Sequence, residues 1–328
     1  MHRVRQRGCC VEFRNLGRSG LTVSAIGLGC NNFGGRIDLA ESRKVVHKAL
    51  DCGITLFDTA DVYGEDGGSE TCLGRILGKR RNDIVLATKF GKPMQADGTR
   101  NRGGRRYIIR AIEASLKRLQ TDWIDLYQLH EPDPETPIDE TLRALDDLVR
   151  CGKVRYVGCS NLPAWQVVEA EWAARRHNLN PFICCQDEYS LLVRGIEAEL
   201  IPAMIRYQLG LLPYFPLAAG LLTGKYRRGV ALPEGARITK LERMQKRFLS
   251  DANWTQVEEL REFAASRSRT LLELAFSWLL ARPQVASVIA GATSAEQVEQ
   301  NVAVGAWVLG AEDLAAVDRI TSEAPAAT

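Results

Sequence analysis

The 328-residue sequence predicts an α/β protein folded as a (β/α)8 TIM barrel, and three observations lead to that fold. Eight short apolar segments alternate with amphipathic helical segments from Ala25 to Val302. The first of them ends in Gly27-Leu28-Gly29 and continues as Cys30-Asn31-Asn32, so the G-x-G-x-x-G motif of an open dinucleotide-binding sheet does not follow it. Ionisable residues come directly after several apolar segments, where a barrel places its functional groups.

The predicted strands are short apolar runs, and the predicted helices carry an apolar stripe on one side. The first helix has the clearest beginning, because Asp38 is a typical N-cap residue and Glu41 follows three residues later. We expect strands at residues 25–29, 54–57, 84–89, 124–130, 154–160, 182–186, 211–214 and 285–290. We expect helices at residues 38–53, 69–78, 105–120, 138–150, 162–177, 197–208, 270–281 and 294–302.

Four segments lie outside the eightfold repeat. Residues 1–11 begin with a basic stretch that no apolar run follows, so we expect a flexible N-terminal tail and then a single barrel domain over residues 12–328. Residues 17–20 predict the turn of an N-terminal β-hairpin. The Gly-rich and basic residues 218–251 predict a long loop after strand seven, and residues 311–323 predict a C-terminal helix that packs across the barrel.

Composition favours a small-molecule partner over a nucleic acid or a membrane. The formal net charge is only +3, from 43 basic and 40 acidic residues. The most apolar stretches, residues 209–222 and 271–281, are interrupted and fall short of the roughly 20 residues that cross a membrane. Nine cysteines without a C-x-x-C pair argue against a zinc site or a disulfide framework and indicate a reducing, cytoplasmic location.

Four ionisable residues at successive strand ends suggest proton-transfer chemistry: Asp58, Tyr63, Lys89 and His130. A tyrosine, with an ordinary pKa of about 10, can protonate a developing alkoxide if a cation stabilises its phenolate. Lys89 would supply that cation, Asp58 would hold Lys89, and a neutral His130 would polarise a substrate carbonyl.

Each of these residues also has an ordinary structural interpretation. Asp58 could cap a turn, and Tyr63 could be a half-buried aromatic. Lys89 could be a surface lysine, and His130 could be a core histidine. A metal-dependent hydrolase on the same barrel is disfavoured, because the other histidines lie in the tail or in predicted helices rather than at strand ends. The coincidence of all four residues favours the proton-donating site.

Three motifs together resemble the signatures of the aldo-keto reductase superfamily, in the long-insert branch related to the potassium-channel β-subunits. They are Asp-Thr-Ala-Asp-Val-Tyr-Gly at 58–64, Ala-Thr-Lys-Phe-Gly at 87–91 and Leu-Tyr-Gln-Leu-His-Glu-Pro-Asp at 126–133. The resemblance extends from about Phe13 to Glu323 and implies a (β/α)8 barrel that reduces aldehydes or ketones with NADPH and without metal. It implies that Asp58, Tyr63, Lys89 and His130 form the catalytic tetrad, with Tyr63 as the general acid.

The resemblance also implies a set of cofactor-binding residues. Ser160, Asn161 and Gln186 are expected to hold the nicotinamide carboxamide, and Tyr214 is expected to stack on the nicotinamide ring. Pro216, Leu217, Gly220 and Lys225 are expected at the pyrophosphate, and Arg237 at the 2′-phosphate. Gly291, Thr293, Gln297 and Asn301 are expected at the adenosine end.

Two departures from common family patterns bear on function. Many relatives carry a basic residue where this chain has Thr293 or Ser294, which weakens the preference for NADPH over NADH. The channel β-subunits commonly carry asparagine where this chain has His130, which favours an enzyme over the alternative, a cofactor-holding regulatory subunit. The sequence leaves open the particular carbonyl, the oligomeric state, and whether Cys30 is redox-sensitive or simply packed.

Overall fold

The computed structural model describes residues 3–6, 9–94, 101–304 and 307–322. Its strands form one three-stranded antiparallel sheet, β1 to β3, and one eight-stranded parallel sheet, β4 to β11. They are β1 (Arg3–Gln6), β2 (Cys9–Asn15), β3 (Thr22–Ser24), β4 (Ile26–Gly29), β5 (Leu56–Asp58), β6 (Val85–Phe90), β7 (Ile124–Leu129), β8 (Val154–Ser160), β9 (Cys184–Gln186), β10 (Gly210–Leu211) and β11 (Val288–Gly291).

The parallel sheet closes on itself. Its strand order is β10-β9-β8-β7-β6-β5-β4-β11, so the last strand lies beside the first and only β10 and β11 remain to be joined. The backbone of Leu211 joins them, because its N–H donates to Gln284 O at 2.7 Å and its carbonyl accepts from Ala286 N at 3.0 Å. The predicted (β/α)8 barrel is confirmed.

Helices alternate with the strands and form the outer ring. The expected start of α1 is confirmed, since Asp38 Oδ1 accepts a hydrogen bond from Glu41 N at 2.9 Å. The α-helices are α1 (Leu39–Asp51), α2 (Tyr63–Leu77), α3 (Arg105–Leu119), α4 (Ile138–Arg150), α5 (Ala164–His177), α6 (Leu200–Tyr207), α7 (Arg237–Lys240), α8 (Glu242–Phe248), α9 (Asp251–Ser266), α10 (Leu271–Leu280), α11 (Ala295–Ala303) and α12 (Ala311–Ser322). Short 3-10 helices occupy Gly78–Asp83, Gly195–Glu197 and Ala218–Thr223.

Two apolar clusters stabilise the barrel. The larger one lies between the strands and the helix ring, and the smaller one fills the barrel interior with residues such as Leu56, Ala87 and Leu126. Side chains alternate between the two sides of a strand, so Asp58 and Lys89, two residues further along their strands, also point inward. The interior is therefore apolar up to the level where the strands end and polar at that end.

The N-terminal segment differs from its prediction in part. The β2–β3 hairpin is confirmed, with Asn15 opposite Thr22, and its Leu16 and Val23 join the interior cluster. The segment expected to be a flexible tail, residues 1–11, contains β1 and the start of β2. The physical reason is that antiparallel pairing with β1 provides hydrogen-bond partners for the backbone edge of β2.

The long insert is also more ordered than predicted. Residues 218–251 contain a 3-10 helix together with α7 and α8, and Ile238, Met244 and Phe248 bury their side chains in the outer cluster. The helix α9 that follows was not predicted. Its signal was a Ser250 cap and apolar residues at helical spacing, of which Trp254 is the first.

The predicted C-terminal helix is present as α12 and packs against α9. Its Asp318 pairs with Arg194 at 2.8 Å and with Arg282 at 2.9 Å. Glu323, the predicted last residue of this helix, lies outside the described residues. Across the described parts of the chain, none of the helices combines the length and the hydropathy that a membrane crossing requires.

Candidate active site

A cleft of about 770 Å³ opens at the carboxyl ends of the barrel strands, within the usual range for ligand sites. Of the predicted catalytic residues, Asp58, Tyr63 and His130 line it, and Lys89 lies next to them with no exposed surface. The predicted cofactor-binding residues all line it as well: Ser160, Asn161, Gln186, Tyr214, Pro216, Leu217, Gly220, Lys225, Arg237, Gly291, Thr293, Gln297 and Asn301. The fold therefore brings both predicted sets together in one cleft.

Asp58 and Lys89 form a buried ion pair. Lys89 Nζ donates to Asp58 Oδ2 at 2.7 Å and to the carbonyl of Thr59 at 2.9 Å. Burial lowers the pKa of Lys89, but Asp58 and Tyr63 raise it by more, so the net pKa lies above its ordinary value. Lys89 is therefore a fixed cation at neutral pH.

Tyr63 lies within reach of that cation, with its hydroxyl 3.5 Å from Lys89 Nζ. The next residue must be glycine, because Gly64 has φ +69° and an added Cβ would lie 2.3 Å from Phe33 O. Burial raises the pKa of Tyr63 above its ordinary value, and the opposing effect of Lys89 does not cancel it. Lys89 stands where the sequence argument expected it, but Tyr63 keeps its proton at neutral pH rather than approaching ionisation.

His130 follows β7 and faces Tyr63 across the cleft. The two ring centroids are 5.6 Å apart at an interplanar angle of 82°. Burial lowers the pKa of His130 well below its ordinary value, and Lys89 and Lys92 lower it further. The imidazole is neutral near pH 7, and its Nδ1 has no hydrogen-bond partner among the described residues.

The predicted carboxamide-binding residues form a connected group beside His130. Asn161 has φ +59°, donates from Nδ2 to His130 O at 3.0 Å and accepts from Tyr214 Oη at 2.7 Å. Ser160 Oγ donates to Gln186 O at 2.7 Å. The Gln186 side chain donates from Nε2 to Asp58 Oδ1 at 2.9 Å, which links this group to the ion pair.

The part of the cleft lined by Arg36, Lys225, Arg237 and Arg243, here called the basic end, carries an excess of positive charge. Arg237 Nη2 donates to Asn32 Oδ1 at 3.3 Å, and Arg36 Nη2 donates to Gly235 O at 3.0 Å. Together with Lys225 and Arg243, these side chains line the cleft and form no ion pair within the described residues. Burial lowers the pKa of Arg237, and the charge of Arg36 lowers it further.

Helix α11 begins at the same basic end. Ser294 is its N-cap residue and accepts from Gln297 N at 3.4 Å. Gln297 Oε1 accepts from Thr293 N at 2.8 Å and from Thr293 Oγ1 at 3.2 Å, so this side chain bends back over the helix start. Asn301, one turn later, is 8% exposed. Gln297 and Asn301 line the cleft on one side of the helix, as expected.

Several cleft residues were missed from sequence. Arg36, Arg243 and Gln300 also line the cleft, and of these only Arg243 had a signal, the basic composition of the insert. Gln128, the next-to-last residue of β7, lies outside the cleft but contacts Asp58. Its signal was the spacing of two residues from His130, which puts both side chains on the inner side of the strand.

Two other expectations concern cysteine and metal. Cys30 has no exposed surface, and burial raises the pKa of its thiol well above the ordinary value, so it is a packed thiol rather than a reactive one. Within residues 3–6, 9–94, 101–304 and 307–322, no group of three or more His, Cys, Asp or Glu is arranged to hold a metal ion.

Comparison with known proteins identifies the family. A family profile described as "Aldo/keto reductase family" matches residues 25–322. The chain is 37% identical over 302 residues to a "Probable voltage-gated potassium channel subunit beta" of Arabidopsis thaliana, covering 89% of this chain and 90% of the plant protein. It is 35% identical over 326 residues to the L-glyceraldehyde 3-phosphate reductase of Escherichia coli O157:H7, covering 94% of this chain and 92% of that enzyme. The chain belongs to the aldo/keto reductase family of oxidoreductases.

Proposed function

We propose that the protein is an NADPH-dependent oxidoreductase that reduces an aldehyde or ketone to an alcohol. The observation that supports this most strongly is the chain of contacts from Asp58 to Lys89 at 2.7 Å and from Lys89 to Tyr63 at 3.5 Å, beside a neutral His130. This arrangement holds a protonated phenol next to a cation at the mouth of a ligand-sized cleft, as a general acid requires.

In the proposed reaction, a reduced nicotinamide held by Ser160, Asn161, Gln186 and Tyr214 would be the source of the hydride for the carbonyl carbon. Tyr63 Oη gives its proton to the oxygen, which becomes the alcohol hydroxyl, and Lys89 stabilises the phenolate that remains. Asp58 keeps Lys89 in position. His130, neutral in the folded protein, donates a hydrogen bond to the carbonyl oxygen as negative charge develops there.

The cleft has the features that a nicotinamide dinucleotide needs. Tyr214 lines the catalytic half, where an aromatic ring can stack on the nicotinamide. The basic end has four cations without ion-pair partners in the described structure, Arg36, Lys225, Arg237 and Arg243, which suit phosphate groups. Ser160, Asn161 and Gln186 would hold the carboxamide beside His130.

We propose a preference for NADPH over NADH because of the Arg237 guanidinium and the hydroxyls of Thr293 and Ser294. A bidentate arginine can contribute a charge-assisted contact to a 2′-phosphate that NADH does not have. We expect the Michaelis constant for NADH to exceed that for NADPH by about 10-fold or more. Equal constants would contradict the preference.

A cofactor-holding regulatory subunit is the second candidate, supported by the similarity to a protein named as a channel β-subunit. A neutral His130 beside Tyr63 supports the enzyme instead, since it provides a hydrogen-bond donor for a carbonyl oxygen. Co-purification with a membrane protein, together with no carbonyl-dependent oxidation of NADPH, would favour the regulatory subunit.

The test is NADPH oxidation, followed by its absorbance, across a panel of aldehydes, ketones, sugars and quinones. L-Glyceraldehyde 3-phosphate belongs in the panel because a relative is named as its reductase. We expect at least one carbonyl to be reduced with saturation kinetics and with one NADPH consumed per alcohol formed. Tight NADPH binding without turnover on the whole panel would contradict an enzymatic role.

A further inference from the structure

Gln128 is a buried polar residue that the proposed chemistry does not use. It lies in β7, opposite Lys89 of β6 and Gly158 of β8, and has no exposed surface. It does not line the cleft, so it does not contact a cofactor or a substrate bound there. A glutamine amide in the barrel interior requires hydrogen-bond partners to offset the cost of its burial.

One of those partners is Asp58 of the catalytic ion pair, and another is the Gln186 side chain. Gln128 Nε2 donates to Asp58 Oδ1 at 3.3 Å, and Gln186 Nε2 donates to the same oxygen at 2.9 Å. Gln186 Nε2 also lies 3.4 Å from Gln128 Oε1. Asp58 therefore uses Oδ2 for Lys89 and shares Oδ1 between two glutamines.

The strand beside Gln128 leaves room for its side chain. A Cβ at Gly158 would lie 2.7 Å from Cys184 Sγ and 3.3 Å from Gln128 Cγ. Glycine at position 158 thus prevents a collision at the point where Gln128 turns toward Asp58. The packing around Gly158 therefore restricts where the Gln128 side chain can lie beside Asp58.

We propose that Gln128 is a positioning residue that holds Asp58 Oδ1 when the Gln186 amide turns toward the cofactor. This inference rests on the proposed function, in which Gln186 holds the nicotinamide carboxamide. Gln186 lines the cleft and can leave Asp58, whereas Gln128 lies outside the cleft and stays. Asp58 then keeps a hydrogen bond on Oδ1, and Lys89 keeps its position beside Tyr63.

The direct test is the dissociation constant of NADPH, measured by fluorescence in a double-mutant cycle. In Gln128→Met, Gln186 is the remaining glutamine donor to Asp58 Oδ1. Turning the Gln186 amide toward the cofactor then leaves Asp58 Oδ1 without a glutamine donor, which makes the free energy of NADPH binding less favourable. We expect the NADPH dissociation constant to rise by about 10-fold. In a Gln186→Met background that exchange no longer occurs, and adding Gln128→Met should change the constant by less than about 2-fold.

Turnover gives a second readout. We expect Gln128→Met to lower kcat at saturating NADPH by about 10-fold with the KM for the carbonyl nearly unchanged, because a misplaced Lys89 affects the transition state. Gln256→Met is the matched control, since Gln256 is a buried glutamine of α9 whose Nε2 has no hydrogen-bond partner among the described residues. This control should leave both constants unchanged.

The outcomes separate this inference from the proposed function. If wild-type protein binds NADPH and Gln128→Met changes its affinity equally in both backgrounds, Gln128 has only a structural role and the inference is wrong. If wild-type protein does not bind NADPH, the proposed function is wrong and the inference fails with it. Should Gln128→Met not fold, Gln128→Asn, with an amide too short to reach Asp58, must reproduce the affinity change.

Discussion

The two ends of the cleft handle charge in opposite ways. At the catalytic end, Lys89 and Asp58 are buried and bind each other at 2.7 Å. At the basic end, Arg237 is partly buried and Lys225 is exposed, neither forms an ion pair within the described structure, and partial desolvation lowers the pKa of both side chains. One end satisfies its charges internally, and the other leaves positive charge in excess.

This difference indicates a division of labour. A buried ion pair with both partners satisfied contributes little net stability but fixes the position of its members. Neighbouring cations repel one another, and this repulsion raises the free energy of the folded protein. An anionic ligand bound among them would lower that free energy. We therefore interpret the catalytic end as preorganised for proton transfer and the basic end as preorganised for the phosphates of a cofactor.

The largest expected effect would come from removing the Tyr63 hydroxyl. Tyr63→Phe should lower kcat by about 10³-fold, because the variant has no proton to give to the developing alkoxide. The dissociation constant of NADPH should stay within about 2-fold of wild type, since the hydroxyl acts on the transition state. Steady-state kinetics and a fluorescence titration give the two values, and a parallel loss of NADPH affinity would break the proposed division.

Breaking the ion pair should destabilise the fold. Lys89→Met leaves Asp58 buried without its cation, which we expect to cost about 3–5 kcal/mol of unfolding free energy. Asp58→Asn/Lys89→Met removes both charges and should recover part of that loss. Denaturant unfolding of wild type, the single variant and the double variant measures this. A double variant less stable than Lys89→Met would show that the unpaired charge of Asp58 does not cause the loss of stability.

A smaller effect is expected at the basic end. Arg237→Met should raise the dissociation constant of NADPH by about 10-fold and leave that of NADH within about 2-fold, because only NADPH carries the 2′-phosphate. Arg228→Met is the control, since Arg228 lies outside the cleft and already pairs with Asp251. Equal losses for both cofactors would instead place Arg237 on the pyrophosphate.

An effect on stability alone is expected from Asp61, a carboxyl group that belongs to neither end. Burial raises the pKa of Asp61 to about 8, with a further increase from Glu70. An unfolded aspartate loses its proton near pH 4, so the folded chain holds an extra proton between about pH 4 and pH 8 and stability falls as pH rises. Asp61→Asn should therefore be more stable than wild type, by a margin that grows across that interval.

Thermal unfolding of both proteins at about pH 5 and about pH 8 tests this sign. A margin that does not change between these two pH values would mean that Asp61 is already ionised in the folded protein. The kcat of Asp61→Asn should be compared with that of an Asp58 variant, because Asp58 lines the cleft and Asp61 does not.

Much of the catalytic end was predictable because strand endings are visible in the sequence. Asp58 and His130 stop apolar runs abruptly, and a barrel makes the ends of distant strands neighbours. The direction in which the pKa of Tyr63 shifts was not predictable, because it depends on how deeply the ring is buried. The orientation of Gln186 toward Asp58 likewise depends on contacts between strands rather than on local sequence.

The basic end was harder to predict because its elements are short and irregular. The helices α7 and α8 gain their order from burying Ile238, Met244 and Phe248, not from strong local patterns. Arg237 was found only through the family resemblance, and Arg243 was not found. Strand β1 was missed because the basic composition of the segment outweighed its capacity for backbone pairing.

The most direct test of the division of labour is carbonyl-dependent NADPH oxidation by Tyr63→Phe and Arg237→Met, measured side by side at saturating NADPH. We predict that Arg237→Met turns over within about 2-fold of wild type once saturated, while Tyr63→Phe stays about 10³-fold slower at every NADPH concentration. Wild-type turnover by Tyr63→Phe would contradict this prediction.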